Sequence, residues 1–373
     1  MPLEPETGRA LTAGASGAAR RPRLQEAGLL LVILLLGLTI TLAADTLHLR
    51  DRDVNAFLRF DNLLANVATP MSWMAIMALG ATVVIIAGGI DISVGSVFGL
   101  SALAAAAALQ ELPADAGGGL ALLVAAVTAL GVGLACGLVN GALVVALRLH
   151  PFIVTLGTLS IFRGIGLVSV TGKTLPGLGR TLPGSFTEGL VGARWPLGGG
   201  NFVQPVPMLV MLLCAALAWI FLSHTVGGRE VYAVGGNEEA ARFSGLPVGR
   251  VKLRVYAISG LCAGIAGLLS VGFYQSANTA TGEGYELTVI AAAVVGGASL
   301  TGGRGTALGA VLGALVIKLI ENGIDILRAI DLGIVRLPVS KEYGKIIIGV
   351  AILLAVAVDR LSERLALRRR GGT

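Results

Sequence analysis

The sequence predicts an all-α, polytopic inner-membrane helical bundle of about ten transmembrane helices with Gly-rich breaks, and three observations predict it. Apolar residues make up 55% of the 373 residues and charged residues 13%, with a mean hydropathy of +0.84, outside the balance of a soluble domain. Runs approaching the roughly 20 apolar residues that a helix needs to cross a bilayer recur from end to end. Glycine, at 54 residues, recurs at every fourth position inside those runs, as at Gly133, Gly137 and Gly141. In lipid no hydrophobic force drives helices together, so faces of this kind hold a bundle by close backbone packing.

The elements follow in order. Residues 1–26 form a polar tail ending in Arg20, Arg21 and Arg23, ahead of an apolar run at 27–44. A cleaved or twin-arginine signal competes for this segment. The run is nearly long enough to span, so an uncleaved first helix with a cytoplasmic tail is expected. Further runs lie at 64–87, 93–109, 119–147, 151–170, 206–222, 253–273, 286–300, 306–323 and 343–359. The 119–147 run is long enough to tilt or project, and 286–300 is short and glycine-flanked, the pattern of a half-helix. Residues 27–360 thus form one transmembrane domain, interrupted by polar loops at 171–205 and 223–252 and followed by a basic tail at 361–373.

The net charge of +6 does not mark a nucleic-acid partner, because the basic residues cluster beside the spans with few aromatics between them. The positive-inside bias explains them better. Arg148, Arg229, Arg242, Arg250, Lys252, Arg254, Arg304 and the C-terminal arginines fall on one side, whereas connections 110–118 and 274–285 carry no Lys or Arg. Both termini and the 223–252 loop are therefore expected in the cytoplasm and the 171–205 loop in the periplasm. That outer loop carries Phe186, Trp195 and Phe202, which suit either contact with a delivering protein or a lipid-interface belt. Cys136, Cys214 and Cys262 lie in apolar runs without paired or metal-ligand spacing, so neither a disulfide framework nor a metal site is expected.

One polar island stands apart. In 235–247 Asn237 suits a helix N-cap, Glu238 and Glu239 favour the positive end of a helix dipole, and Gly245 with Pro247 stops the helix after about two turns. This is a short prefabricated docking helix, and the competing reading is a solvated loop. A second motif, Gly88-Gly89-Ile90-Asp91-Ile92-Ser93-Val94-Gly95, ends one helix and starts another, with Asp91 or Ser93 placed to cap the new one. Asp91 is read as capping and hinge duty ahead of cargo contact, although a carboxylate beside a span commonly marks a pathway. Val295-Gly296-Gly297-Ala298-Ser299 echoes it, pointing to a duplicated fold with discontinuous helices. The run Thr171-Gly172-Lys173-Thr174 mimics part of a P-loop, but Leu167 stands where a glycine is required and no strand precedes it.

Together these segments carry a resemblance. Gly-Gly-Ile-Asp-Ile-Ser-Val-Gly at 88–95, His-Pro-Phe-Ile-Val-Thr-Leu-Gly-Thr at 150–158 with Arg163-Gly164, Gly-Gly-Asn-Glu-Glu-Ala-Ala-Arg-Phe-Ser-Gly at 235–245, and Gly284-Tyr285-Glu286-Leu287 through Gly296-Gly297 fall in the order found in the permease subunits of ribose/xylose-type ATP-binding-cassette (ABC) sugar importers. The chain resembles that family over roughly residues 60–360, apart from its N-terminal tail and a long 324–342 loop. The resemblance implies a binding-protein-dependent transport component of the bacterial inner membrane. It would work with a cytoplasmic ABC ATPase, a periplasmic sugar-binding protein and a second permease copy or paralogue. Glu239, Ala240, Ala241, Arg242 and Gly245 would form the ATPase-coupling motif, with Gly88, Gly89, Asp91, Gly95, Gly296 and Gly297 as hinge residues. No cofactor is implied for the chain itself, since ATP is consumed by the partner, and no catalytic residue or metal is expected.

Pathway candidates are the polar side chains in apolar segments: Asn140, Thr155, Thr158, Arg163, Asn278 and Glu286, with Gln275 and Asn322 beside them. A neutral hydroxylated cargo needs matched donors and acceptors, and for each of these residues interhelical bonding is the competing role. Rival functions are a branched-chain amino acid permease of the same transporter class, and an ion-coupled carrier using Asp91 and Glu286. The docking motif argues against the carrier, which needs no ATPase.

Overall fold

The computed structural model describes residues 21–46, 50–51, 54–170, 172–198 and 201–327, with scattered positions in 343–357. Most of the polar N-terminal tail, the 328–342 loop, much of the 343–359 run and the basic C-terminal tail lie outside the described residues.

Twelve helices between residues 21 and 327 make up the described fold: α1 (Arg21–Thr46), α2 (Thr69–Ile86), α3 (Val94–Leu109), α4 (Gly118–Leu147), α5 (Pro151–Val168), α6 (Gly184–Phe186), α7 (Pro205–His224), α8 (Val226–Gly236), α9 (Glu238–Phe243), α10 (Val248–Tyr274), α11 (Tyr285–Val295) and α12 (Ala307–Leu327), and the scattered positions described in 343–357 are helical. Seven segments are long and apolar enough to span, and α3 and α11 are shorter apolar helices. They coincide with the first nine predicted runs. The 286–300 run holds α11, which ends at Val295 as a half-helix. The 223–252 loop is more ordered than expected, because α8 precedes α9.

Position in the bundle does not follow from hydropathy, because in a bilayer an apolar face suits lipid as well as protein. A π-helical turn, Asn62–Ala68, leads into α2, which carries Pro70 in its first turn. The Asn62–Ile86 span is 94% buried, against 17% for α1 and for α7, although those two are the more apolar. Helices α10 and α12 flank α2 on the inside, and α1, α4, α5 and α7 form the periphery. The glycine stripes explain how close the neighbours come. A Cβ on Gly133 would lie 2.9 Å from Gly264 Cα, and one on Gly260 would lie 2.8 Å from Gly137 Cα, so α4 and α10 touch backbone to backbone. Gly309 and Gly313 of α12 do the same against Gly296 and Ala292 of α11.

The two glycine-rich breaks are built alike. After α2, Gly88 N donates to Ile85 O and Gly89 N to Val84 O; after α11, Gly297 N donates to Val294 O and Ala298 N to Ala293 O. Both are Schellman stops, which need a left-handed residue just past the helix end, and Gly88 (φ 81°) and Gly297 (φ 93°) supply it. At one end of the bundle the α2 terminus, the α8 terminus and the 302–305 turn meet. At the other end the 172–192 segment packs over α3. There Gly177 N donates to Gln110 Oε1 at 3.2 Å, Arg180 pairs with Glu111, and Thr174–Leu175 forms a two-stranded ribbon with Ala277–Asn278.

Candidate functional site

Helix α9, the expected docking segment, is assembled by local chemistry. Asn237 caps α9 through its side chain, which accepts from Ala240 N at 2.9 Å, a contribution of about 1 kcal/mol. Glu238 receives Arg242 at 3.0 Å and Lys252 at 2.8 Å, tying α9 to the start of α10. The helix stops with Gly245 N on Arg242 O and Leu246 N on Ala241 O, with Gly245 at φ 81°. Ala241 is buried in a small apolar cluster that Leu246 also packs against. This anchoring turns the opposite face outward. Glu239, Ala240, Arg242 and Gly245 are exposed, no described residue holds the Glu239 carboxylate, and Phe243 is 90% exposed.

The first break is a hub of buried hydrogen bonds. Asp91 Oδ1 accepts from Ser93 N at 3.0 Å and from Ser93 Oγ at 2.7 Å, and Asp91 Oδ2 accepts from Ser259 Oγ at 2.8 Å. Asn140 Nδ2 donates to Ser93 Oγ at 2.7 Å, and Thr155 Oγ1 accepts from Ile92 N at 3.2 Å. Tyr256 OH donates to Ile90 O at 3.3 Å. Four helices, α3, α4, α5 and α10, thus hold one irregular segment whose backbone groups would otherwise be unsatisfied. The expected capping role is corrected in detail. Ser93 occupies the N-cap of α3 but its side chain makes no cap bond; its hydroxyl donates to Asp91 and its oxygen accepts from Asn140 Nδ2 instead. The Asp91 carboxylate closes a turn onto Ser93 instead, and reaches across to α10.

The pathway candidates divide. Asn140, Thr155 and Thr158 are buried at the hub, and Thr158 Oγ1 donates to Thr155 O at 3.3 Å. Arg163 Nη1 donates to Thr281 O at 2.7 Å, fastening the 279–284 turn against α3. Glu286 stands in the first turn of α11, and its Oε2 is buried with no hydrogen-bond partner among the described residues. A Cβ on Gly95 would meet that oxygen at 2.5 Å. Asn278 lies apart, exposed in the ribbon, where its side chain accepts from Ala280 N at 2.9 Å. Gly95 and Gly99 leave room for the 281–282 backbone, so the small residues at α3 serve this turn.

Sequence reasoning missed Tyr256 and Ser259 at the hub and Asn62 at the α12 contact. Asn62 and Asn322 exchange amide bonds at 3.1 and 2.8 Å across 260 residues of sequence. The available signal was the presence of a polar side chain in an apolar run, which says that a partner exists without saying where. Lys318 and Glu321, by contrast, pair at 3.1 Å one turn apart on α12. Among the described residues no three His, Cys, Asp or Glu side chains are grouped to hold a metal.

The chain is an all-α polytopic membrane bundle with discontinuous helices, and comparison with known proteins specifies its family. The chain belongs to the family described as "Branched-chain amino acid transport system / permease component", whose profile matches residues 63–356. Among its relatives, it is 39% identical over 307 residues to the Ribose import permease protein RbsC of Escherichia coli (strain K12), covering 81% of this chain and 87% of that protein. The Bacillus subtilis (strain 168) protein of the same name is 36% identical over 299 residues, covering 80% and 84%. The D-allose transport system permease protein AlsC of Escherichia coli (strain K12) is 34% identical over 303 residues, covering 81% and 85%.

Proposed function

We propose that this chain is the membrane-spanning subunit of an ABC importer that moves a sugar or sugar-like polyol across the inner membrane. A cytoplasmic ABC ATPase docks on α9, a periplasmic sugar-binding protein delivers the cargo, and a second copy or paralogue completes the pathway. Both termini then lie in the cytoplasm. The observation that carries the reading is the docking helix: Glu239, Arg242 and Phe243 are exposed on a turn fixed at both ends. An exposed aromatic beside charged residues is the composition of an interface anchor. The cargo class is supported by the relatives, whose names are those of ribose and allose permeases although the family description names branched-chain amino acids.

The ion-coupled reading is weaker on the geometry. Asp91, one of its two carboxylates together with Glu286, already accepts from Ser93 and Ser259 on both oxygens. No proton or sodium gradient is needed in the proposed cycle, because the work is done by ATP hydrolysis in the partner. The test is reconstitution in liposomes: uptake of labelled ribose or allose should require the chain, the ATPase, the binding protein and ATP together. Uptake driven by a proton gradient with the chain alone would overturn the proposal.

A further inference from the structure

The docking helix is connected to both helix breaks through a single residue that the motif reading leaves without a role. Asn237 alone separates α8 from α9, and its N–H still bonds Ala233 O at 3.2 Å, so no slack segment intervenes. One turn earlier, α8 is pressed into the bundle end. A Cβ on Gly235 would collide with Ile86 O and lie 2.7 Å from Ile86 C and 2.8 Å from Gly303 N. Gly303 N donates to Ile86 O at 2.8 Å, a Cβ on Gly302 would lie 3.1 Å from Gly88 Cα, and Tyr232 OH donates to Gly305 O at 2.7 Å. The last residue of α2, the first break and the turn that follows the second break therefore converge on Gly235.

These contacts are main chain against main chain. A side chain can change rotamer when its neighbour moves, whereas a backbone cannot yield without moving its whole element, so displacement is passed on rather than absorbed. We infer that Gly235 is a positioning residue of the transport cycle, at which movement of α9 is passed to both helix breaks at once, with Tyr232 holding the second contact. The two halves of the duplicated fold would then shift as one body when the ATPase closes. This inference rests on the reading of α9 as the ATPase dock.

The experiment compares the full-length chain with Gly235→Ala, Tyr232→Phe and a control, Gly131→Ala, whose Cβ would meet nothing within 4 Å. Each is co-expressed with the ATPase and binding protein, purified in nanodiscs, and read in two ways: ATPase retained on the chain against ATP hydrolysis by the complete complex, and amide hydrogen exchange of the chain alone at 82–90 and 298–305. The expected result is full retention of the ATPase in all variants. Hydrolysis stimulated by the binding protein falls about tenfold in Gly235→Ala and about fivefold in Tyr232→Phe, within the range of ordinary coupling free energies. Exchange rises at both breaks together, and Gly131→Ala matches the wild type. Undiminished stimulated hydrolysis in either variant, or exchange rising at one break alone, overturns the inference. Should Gly235→Ala not fold, Tyr232→Phe decides by the same two readings. If the wild type retains no ATPase, the docking reading falls, and the paired exchange at the two breaks decides the junction by itself.

Discussion

Replacing Gly260 by Ala tests whether backbone packing, rather than side-chain burial, holds this bundle together. The new methyl would sit 2.8 Å from Gly137 Cα and 2.9 Å from Gly137 N, where carbon atoms ordinarily approach to about 3.5–4.0 Å. Helices α4 and α10 must therefore part by about 1 Å. A gap of that size forfeits about a quarter to a half of each dispersion contact; for about 50 atom pairs at about 0.1–0.2 kcal/mol each, the loss is about 1–5 kcal/mol. Alanine returns about 1 kcal/mol in helix propensity, leaving a net destabilisation of up to about 4 kcal/mol. Gly131→Ala on the facing helix meets nothing within 4 Å and keeps only the propensity gain. The assay is reversible unfolding in detergent or bicelles against added denaturant, followed by helical ellipticity. Equal midpoints for Gly260→Ala and Gly131→Ala would refute the packing argument, because the two substitutions differ in contact and not in chemistry.

Three further outcomes are expected. Glu239→Lys reverses an exposed charge in the first turn of α9 that no described residue holds, so the chain should insert and unfold as the wild type does within about 1 kcal/mol. Its ATPase retention and sugar uptake should nevertheless drop, and a variant that keeps both would remove Glu239 from the dock. Asp91→Asn leaves the Ser93 and Ser259 hydroxyls competing for a single side-chain oxygen; losing charged hydrogen bonds worth about 1.5–3 kcal/mol each should lower the yield of folded protein and its unfolding midpoint, measured by detergent size-exclusion chromatography and denaturant titration. In a background lacking Cys136, Cys214 and Cys262, cysteines at Thr155 and Thr158, both buried at the hub, should react slowly with a membrane-impermeant thiol reagent while the ATPase is idle and faster during turnover. Rates equal to lipid-facing Ile153 controls in every nucleotide state would confine these threonines to packing.

Much of the molecule was legible in the chain because the relevant physics is local. Span positions follow from runs of apolar residues, since a backbone in lipid must satisfy its own hydrogen bonds within a helix. Helix α9 followed from Asn237, Glu238 and Gly245, because caps and stops depend on residues a turn apart, and the breaks at Gly88 and Gly297 followed from the left-handed residue each requires. What only the tertiary structure decided is the partner of each polar group. Asp91 invited a capping assignment, but Ser259, 168 residues on, takes one of its oxygens. Asn322 reads as a pathway candidate until Asn62 is found beside it, and Gly235 is an unremarkable helix-end glycine until Ile86 and Gly303 close on it. A sequence states that a buried amide, hydroxyl or bare backbone needs a neighbour; which neighbour it meets depends on helix order and rotation in the bundle, and these arise from all the packing contacts together.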